Sequence, residues 1–199
     1  MATLCQQLLD YCATYPNAGL RIHKCDMVLN IHLDASYLIA PYAKSRISGY
    51  FFLSSNNTNN PQHNAPIHVE CKTLRHVVTS SAERETAAAF HNAQTPIHIR
   101  YILNQLGYSQ PPTPIVLDNS NTDNFIKNNI TQKRSKSWDT KYYLLREKHI
   151  QKQLNFIWKK SELNLADYHT KHFPATYHHQ ICHNYLLDFP HNTCTYVAC

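Results

Sequence analysis

Four carboxylates stand where chemistry could use them: Asp34, Glu85, Asp118 and Asp167. The alternating stretches 26–34 and 115–118 read as strands that end in aspartates. Glu85 and Asp167 fall in the first turns of predicted helices. Carboxylates brought together repel one another unless cations lie among them. Paired Mg²⁺ ions about 3.5–4 Å apart need shared carboxylate ligands and favour hard oxygen donors, and such a pair activates water and stabilises a leaving oxygen. Each acid also has an ordinary explanation. Asp34 could be a turn residue, Asp118 a helix cap and Glu85 a solvated helix residue, while Asp167, three residues after Asn164, suits a helix dipole. The set of four carries more than any one member.

Glu85 is distinguished from Glu83 by helix geometry. Over Val78–Phe90, Ser80 can act as N-cap and Glu83, three residues on, can close a capping box. Residues two apart point roughly opposite ways on a helix, so Glu85 has no part in that cap. Ala88 and Ala89 flank it on its own face.

These acids need a scaffold. Cys5, Leu8, Leu9 and Cys12 make an amphipathic helix over 1–15. Three strands follow, at 26–34, 48–53 and 67–72, with an Asn-rich loop at 54–65 before the third; their close succession predicts an antiparallel meander. A helix over 81–93 comes next, and Pro96 separates it from a second one that Gly107 stops. A strand at 115–117, a helix over 119–128, a helix from Trp138, a strand at 154–158 and a last helix from Asn164 complete the order. After Pro174 the pattern dissolves. The sum is an α/β (α+β mixed) domain with a mixed sheet flanked by helices.

The chain has 199 residues, 43% hydrophobic and 16% charged, enough for a sizeable core and unlike a disordered segment. No apolar run is long enough for a membrane span, and the N-terminus lacks the design of a signal peptide. A net charge of +6 is compatible with a polyanionic partner. Seven cysteines at irregular spacing, with no C-x-x-C, read as reduced thiols in an intracellular, non-secreted protein. His178, His179, Cys182 and His183 form no recognised zinc spacing.

The ordered pieces Leu33-Asp34-Ala35-Ser36-Tyr37, Gly49-Tyr50-Phe51-Phe52, Thr79-Ser80-Ser81-Ala82-Glu83-Arg84-Glu85, Leu117-Asp118-Asn119-Ser120, Lys133–Asp139 and Asn164–Lys171 resemble the ribonuclease H domain of copia-type LTR retrotransposon Pol polyproteins. The resemblance covers about residues 26–173. It implies an RNase H-like fold with a five-stranded mixed sheet. It also implies a two-metal site of Asp34, Glu85, Asp118 and Asp167 using Mg²⁺ or Mn²⁺ and no small-molecule cofactor. The expected activity is hydrolysis of the RNA strand of RNA–DNA hybrids during reverse transcription, beside a reverse transcriptase polymerase domain in a longer polyprotein. The alternative is an inactive fragment that binds nucleic acid, and an integrase-like enzyme fits the order of pieces less well. By the same resemblance, 1–25 is a helix and linker left from the polymerase connection, 26–173 the RNase H-like domain and 174–199 a divergent or disordered tail. The expected location is cytoplasmic, in a virus-like particle, or nuclear.

Lys133, Arg134, Lys136, Lys141, Lys159 and Lys160 are the candidates for phosphate contacts. Two departures from the family pattern matter. The loop Lys159–Leu163 lacks the histidine that cellular enzymes of this fold carry before the last helix, leaving His169 and His172 as the nearby histidines. Asp123 is a second acid close to Asp118.

Overall fold

The computed structural model describes residues 2–40, 42–56, 63–75, 78, 81–119, 122, 126–127, 136–160 and 164–188. The chain divides into two compact units, Met1–His23 with Pro174–Cys199, and Lys24–Phe173. In the first unit lie helix α1 (Ala2–Thr14) and strand β1 (Ala18–Gly19). Helix α6 (Ala175–Ile181), a 3₁₀ turn and strand β7 (Leu187–Asp188) belong to the same unit, and β7 pairs antiparallel with β1. Secondary structure therefore continues past Pro174, where the sequence pattern gives no periodic signal.

The second unit is built on a five-stranded sheet of β2 (Val28–Ala40), β3 (Lys44–Ser54), β4 (Pro66–Thr73), β5 (Thr113–Leu117) and β6 (Leu154–Trp158), in the order β4-β3-β2-β5-β6. The meander β2-β3-β4 is antiparallel, and β5 and β6 are parallel to β2. This is the RNase H-like fold, an α/β architecture with a mixed sheet and helices packed on it. Helices α2 (Ser81–Asn92), α3 (Thr95–Gln105), α4 (Lys136–Ile150) and α5 (Asp167–Thr170) belong to this unit.

β2 is the middle strand, and both of its alternating residue sets are buried. Leu29, Ile31 and Leu33 join the main core with Phe51, Ile115 and Phe156. The other set, Asn30, His32, Asp34 and Ser36, is polar and still no more than 3% exposed. Burying four polar side chains in a row is costly unless each is bonded or functional.

Three expectations are corrected. β2 does not end at Asp34: its pairing with β3 runs through Asp34↔Ser48 and Ser36↔Arg46 to Ala40↔Lys44, so Asp34 lies mid-strand in a long hairpin. β5 begins two residues early and includes Pro114, tolerated near a strand's start. The last helix of this unit has four residues, because Lys171 turns to extended backbone. Ser80, the middle of the Asn-rich loop, most of 119–128 including Asp123, and Lys133 and Arg134 lie outside the described residues.

α2 sits close on the sheet because the face it presents is made of alanines. Ala87, Ala88, Ala89 and Ala93 are fully buried. At the closest approach the strand contributes Gly49, where a Cβ would stand 2.1 Å from Asn92 Oδ1 and 2.8 Å from Phe51 Cε2. Asn92 donates from Nδ2 to the Ala88 carbonyl at 2.9 Å and to the Ser48 carbonyl at 3.4 Å, which ties the end of α2 to β3.

Candidate active site

Three of the four expected acids converge. Carboxylate oxygens of Asp34, Glu85 and Asp118 all lie within 4.8 Å of one another. They arrive from three elements: the middle of β2, the second turn of α2, and the residue after β5. Because β5 lies beside β2 and runs parallel to it, the end of β5 comes to the level of Asp34. Asp118 is further placed by the Trp158 indole, which donates from Nε1 to its backbone carbonyl at 2.9 Å.

Asp34 is 2% exposed, and its Oδ2 accepts a hydrogen bond from the buried Thr170 hydroxyl. Burial raises its pKa, and nearby Asp167 and Asp118 add to that, while Thr170 and Lys171 oppose it. Glu85 is also 2% exposed. Its Oε1 pairs with Arg84 Nη2 at 3.1 Å, and its Oε2 has no hydrogen-bond partner. Burial, then Asp118 and Asp34, push its pKa up to about 8 against the pull of Arg84. A buried carboxylate oxygen with no donor, facing two further carboxylates, is a group short of a cation. The donor set is all hard oxygen, so these residues fit Mg²⁺ or Mn²⁺.

Asp167 is placed differently. It opens α5 and its Oδ1 pairs with Lys171 Nζ; it is not part of the close group of three. It remains near enough to act on Asp34 electrostatically.

The turn that presents α5 is bolted to β2 by residues that spacing alone did not single out. Asn164 donates from Nδ2 to the Leu33 carbonyl and accepts the Ala166 N–H at 3.0 Å. His32 Nδ1 accepts the Leu165 N–H at 3.1 Å. Burial lowers the His32 pKa to about 3, so the ring is a neutral acceptor there. The polar run Asn30-x-His32-x-Asp34-x-Ser36 is thereby half explained: His32 and Asp34 are the residues through which β2 receives the last segment. The signal was present as a polar alternation on a strand with no solvent-facing side, but only the sheet order shows that this face is covered.

The remaining candidates divide. Lys159 follows β6, and its N–H bonds to the Leu117 carbonyl at 3.0 Å, one residue from Asp118. Lys160 beside it is exposed. Lys141 lies over the Phe90 ring at 5.6 Å. The side chain of Lys136, in the first turn of α4, is outside the described residues, as are Lys133 and Arg134. His169 is stacked on Tyr50, 6.1 Å between centroids, and burial lowers its pKa; His172 is exposed.

No protein-family model matches the sequence, and no curated protein does either. Among solved structures, the fold is similar to the N-terminal RNase H domain of rv2228c from Mycobacterium tuberculosis, with a TM-score of 0.51 at 8% identity, covering 72% of this chain and 91% of that one. Further matches are LC11-RNase H1 in complex with an RNA/DNA hybrid, at 0.48 and 12% identity over 71% and 92% of the two chains. The protease–reverse transcriptase of prototype foamy virus matches at 0.42 and 10% identity, over 69% of this chain and 18% of that one. At 8% identity the first of these matches speaks to the fold alone.

Proposed function

We propose that the chain is a divalent-cation-dependent endonuclease that hydrolyses the RNA strand of RNA–DNA hybrids, as the ribonuclease H part of a copia-type retrotransposon polyprotein. The observation that carries this reading is the closing of Asp34, Glu85 and Asp118 to within 4.8 Å on an RNase H-like sheet. Asp34, Glu85 and Asp118 would hold Mg²⁺ or Mn²⁺, with Asp167 as the fourth acid for a second ion. When bound, such ions lower the pKa of water and neutralise charge on the phosphate.

The chain's own groups supply position. The Thr170 hydroxyl holds one oxygen of Asp34 in place, and Arg84 holds one oxygen of Glu85, so each acid presents its other oxygen. Burial on β2 and α2 keeps both carboxylates in single arrangements, which is what a preorganised site requires. Choice of the RNA strand rests on 2′-OH contacts across the wide minor groove. Lys159, whose backbone is bonded to Leu117, and the exposed Lys160 after it contribute phosphate contacts, with Lys133, Arg134, Lys136 and Lys141 as further candidates. In this reading residues 26–173 carry the chemistry, 1–25 join it to a polymerase domain, and the protein works inside the cell.

The deciding assay incubates the full chain with labelled RNA–DNA hybrid, double-stranded DNA or single-stranded RNA, in Mg²⁺, Mn²⁺ or chelator. The expected result is cleavage of the RNA strand of the hybrid alone, and none with chelator. Cleavage of DNA, or activity that survives the chelator, overturns the reading. Hybrid affinity should fall as salt rises, and the Lys159→Gln/Lys160→Gln pair should flatten that slope by roughly one to two counterions. An unchanged slope removes both lysines from the interface.

A further inference from the structure

Two of the four acids, Glu85 and Asp167, pair with different cationic side chains. Arg84 pairs with Glu85 inside the close group. Lys171 pairs with Asp167 outside it. The second pairing is local and adjustable, whereas its surroundings are fixed. Thr170, the residue before Lys171, is fully buried and bonded to Asp34, and Asn164 and Leu165 are bonded to β2. At Lys171 the helix ends and the backbone turns extended, with φ −120° and ψ 157°. The lysine side chain is 38% exposed and can leave, while the carboxylate it holds is 19% exposed.

We propose that Lys171 competes with a divalent cation for Asp167, so that the second ion binds only by displacing this ammonium. The proposal rests on the nuclease reading of the site. In the cation-free chain the ammonium already occupies Asp167 Oδ1, an oxygen that a second ion would need. Lys171 Nζ competes there through its positive charge. Lys171 is on this view a positioning residue that acts through Asp167. Its consequence is two unequal binding steps, with the second ion taken up weakly until Lys171 swings into solvent or onto a phosphate.

The test is a Mn²⁺ titration of the full chain without nucleic acid, followed by calorimetry. The wild type should show one stronger and one weaker step. Lys171→Gln should strengthen the weaker step by about three- to tenfold, the scale of one partly exposed charge, and leave the stronger within about twofold. Lys171→Arg should keep the weaker step weak, and Asp167→Asn should remove it in both backgrounds. In the wild type itself, titrated with diamagnetic Mg²⁺, the Lys171 ammonium resonance should move with the second equivalent and not the first, a readout that needs no variant. An unchanged or weakened second step in Lys171→Gln, no second step at all, or a lysine signal that ignores the second equivalent overturns the proposal. Hybrid cleavage by the wild type is read separately: cleavage with a failed titration rejects the role of Lys171 alone, and no cleavage rejects the nuclease reading.

Discussion

Replacing Glu85 by glutamine should abolish the proposed cation-dependent cleavage of an RNA–DNA hybrid and, at the same time, make the cation-free chain more stable than the wild type as pH rises above about 5. The first effect follows from the donor set. Glu85 Oε2 is buried without a partner beside Asp34 and Asp118, so its charge is what a cation would bind. An amide of the same shape offers a neutral oxygen, and a loss of at least about 10³-fold in rate is expected, some 4 kcal/mol of transition-state stabilisation. The second effect follows from linkage. The folded Glu85 holds its proton up to about pH 8, against an ordinary value of 4.5. Between those two values the folded chain binds more protons than the unfolded one, so stability falls as pH rises through the window. Asp34 is raised as well and acts in the same direction. Glutamine cannot ionise, so the Glu85→Gln chain keeps stability that the wild type loses, on the order of 4 kcal/mol by pH 8. Denaturant unfolding in chelator at several pH values measures this. Parallel pH profiles for the two chains would show that Glu85 is not held as an uncompensated buried acid.

Glu83→Gln is the internal comparison. Glu83 is part-exposed where Glu85 is buried. The substitution should cost at most about 1 kcal/mol, as weakened helix caps do, and leave cleavage nearly intact. If cleavage were lost on Glu83→Gln and kept on Glu85→Gln, the assignment of the two acids would be reversed.

The elements that were legible in the sequence are those whose burial is one-sided or local. Leu154–Trp158 was read to the residue, and the helix carrying Glu85 nearly so, because their periodicity is local and strong. Helical geometry also separated Glu83 from Glu85 without any tertiary information. The convergence of Asp34, Glu85 and Asp118 was a set-level expectation resting on the family resemblance, and the sheet order β3-β2-β5 is what brings these acids together. What stayed hidden depends on partners far along the chain. The end of β2 was misjudged because Asp34-Ala35-Ser36 resembles a turn, while the hairpin with β3 extends pairing to Ala40. His32 looks like one polar residue in an alternation, and its role needs Leu165, 133 positions away. The capture of Asp167 by Lys171 is four residues long and still unreadable, because it depends on where α5 stops.

Gly49→Ala should damage the site from a distance, and the path is steric. The new methyl would stand 2.1 Å from Asn92 Oδ1 and 2.8 Å from a ring carbon of Phe51. Phe51 is fully buried in the main core. Asn92 is held by its bonds to the Ala88 and Ser48 carbonyls. The backbone of α2 must therefore shift, at a cost of about 1–3 kcal/mol for overpacking a filled core. Asn92 and Glu85 are seven residues apart, two helical turns, and share one stripe of α2. A shift at Asn92 therefore moves Glu85 against Asp34 and Asp118, and cleavage should fall about tenfold or more, as small misplacements of a reacting constellation do. A double-mutant cycle isolates the path. In an Asn92→Ala background the nearest obstacle is gone, so Gly49→Ala should cost at least about 1 kcal/mol less than in the wild type. The same background should also blunt its effect on cleavage. Additive costs would mean that Phe51, rather than the Asn92 contact, sets the spacing of α2 on the sheet, and would remove Gly49 from the chain of contacts that positions Glu85.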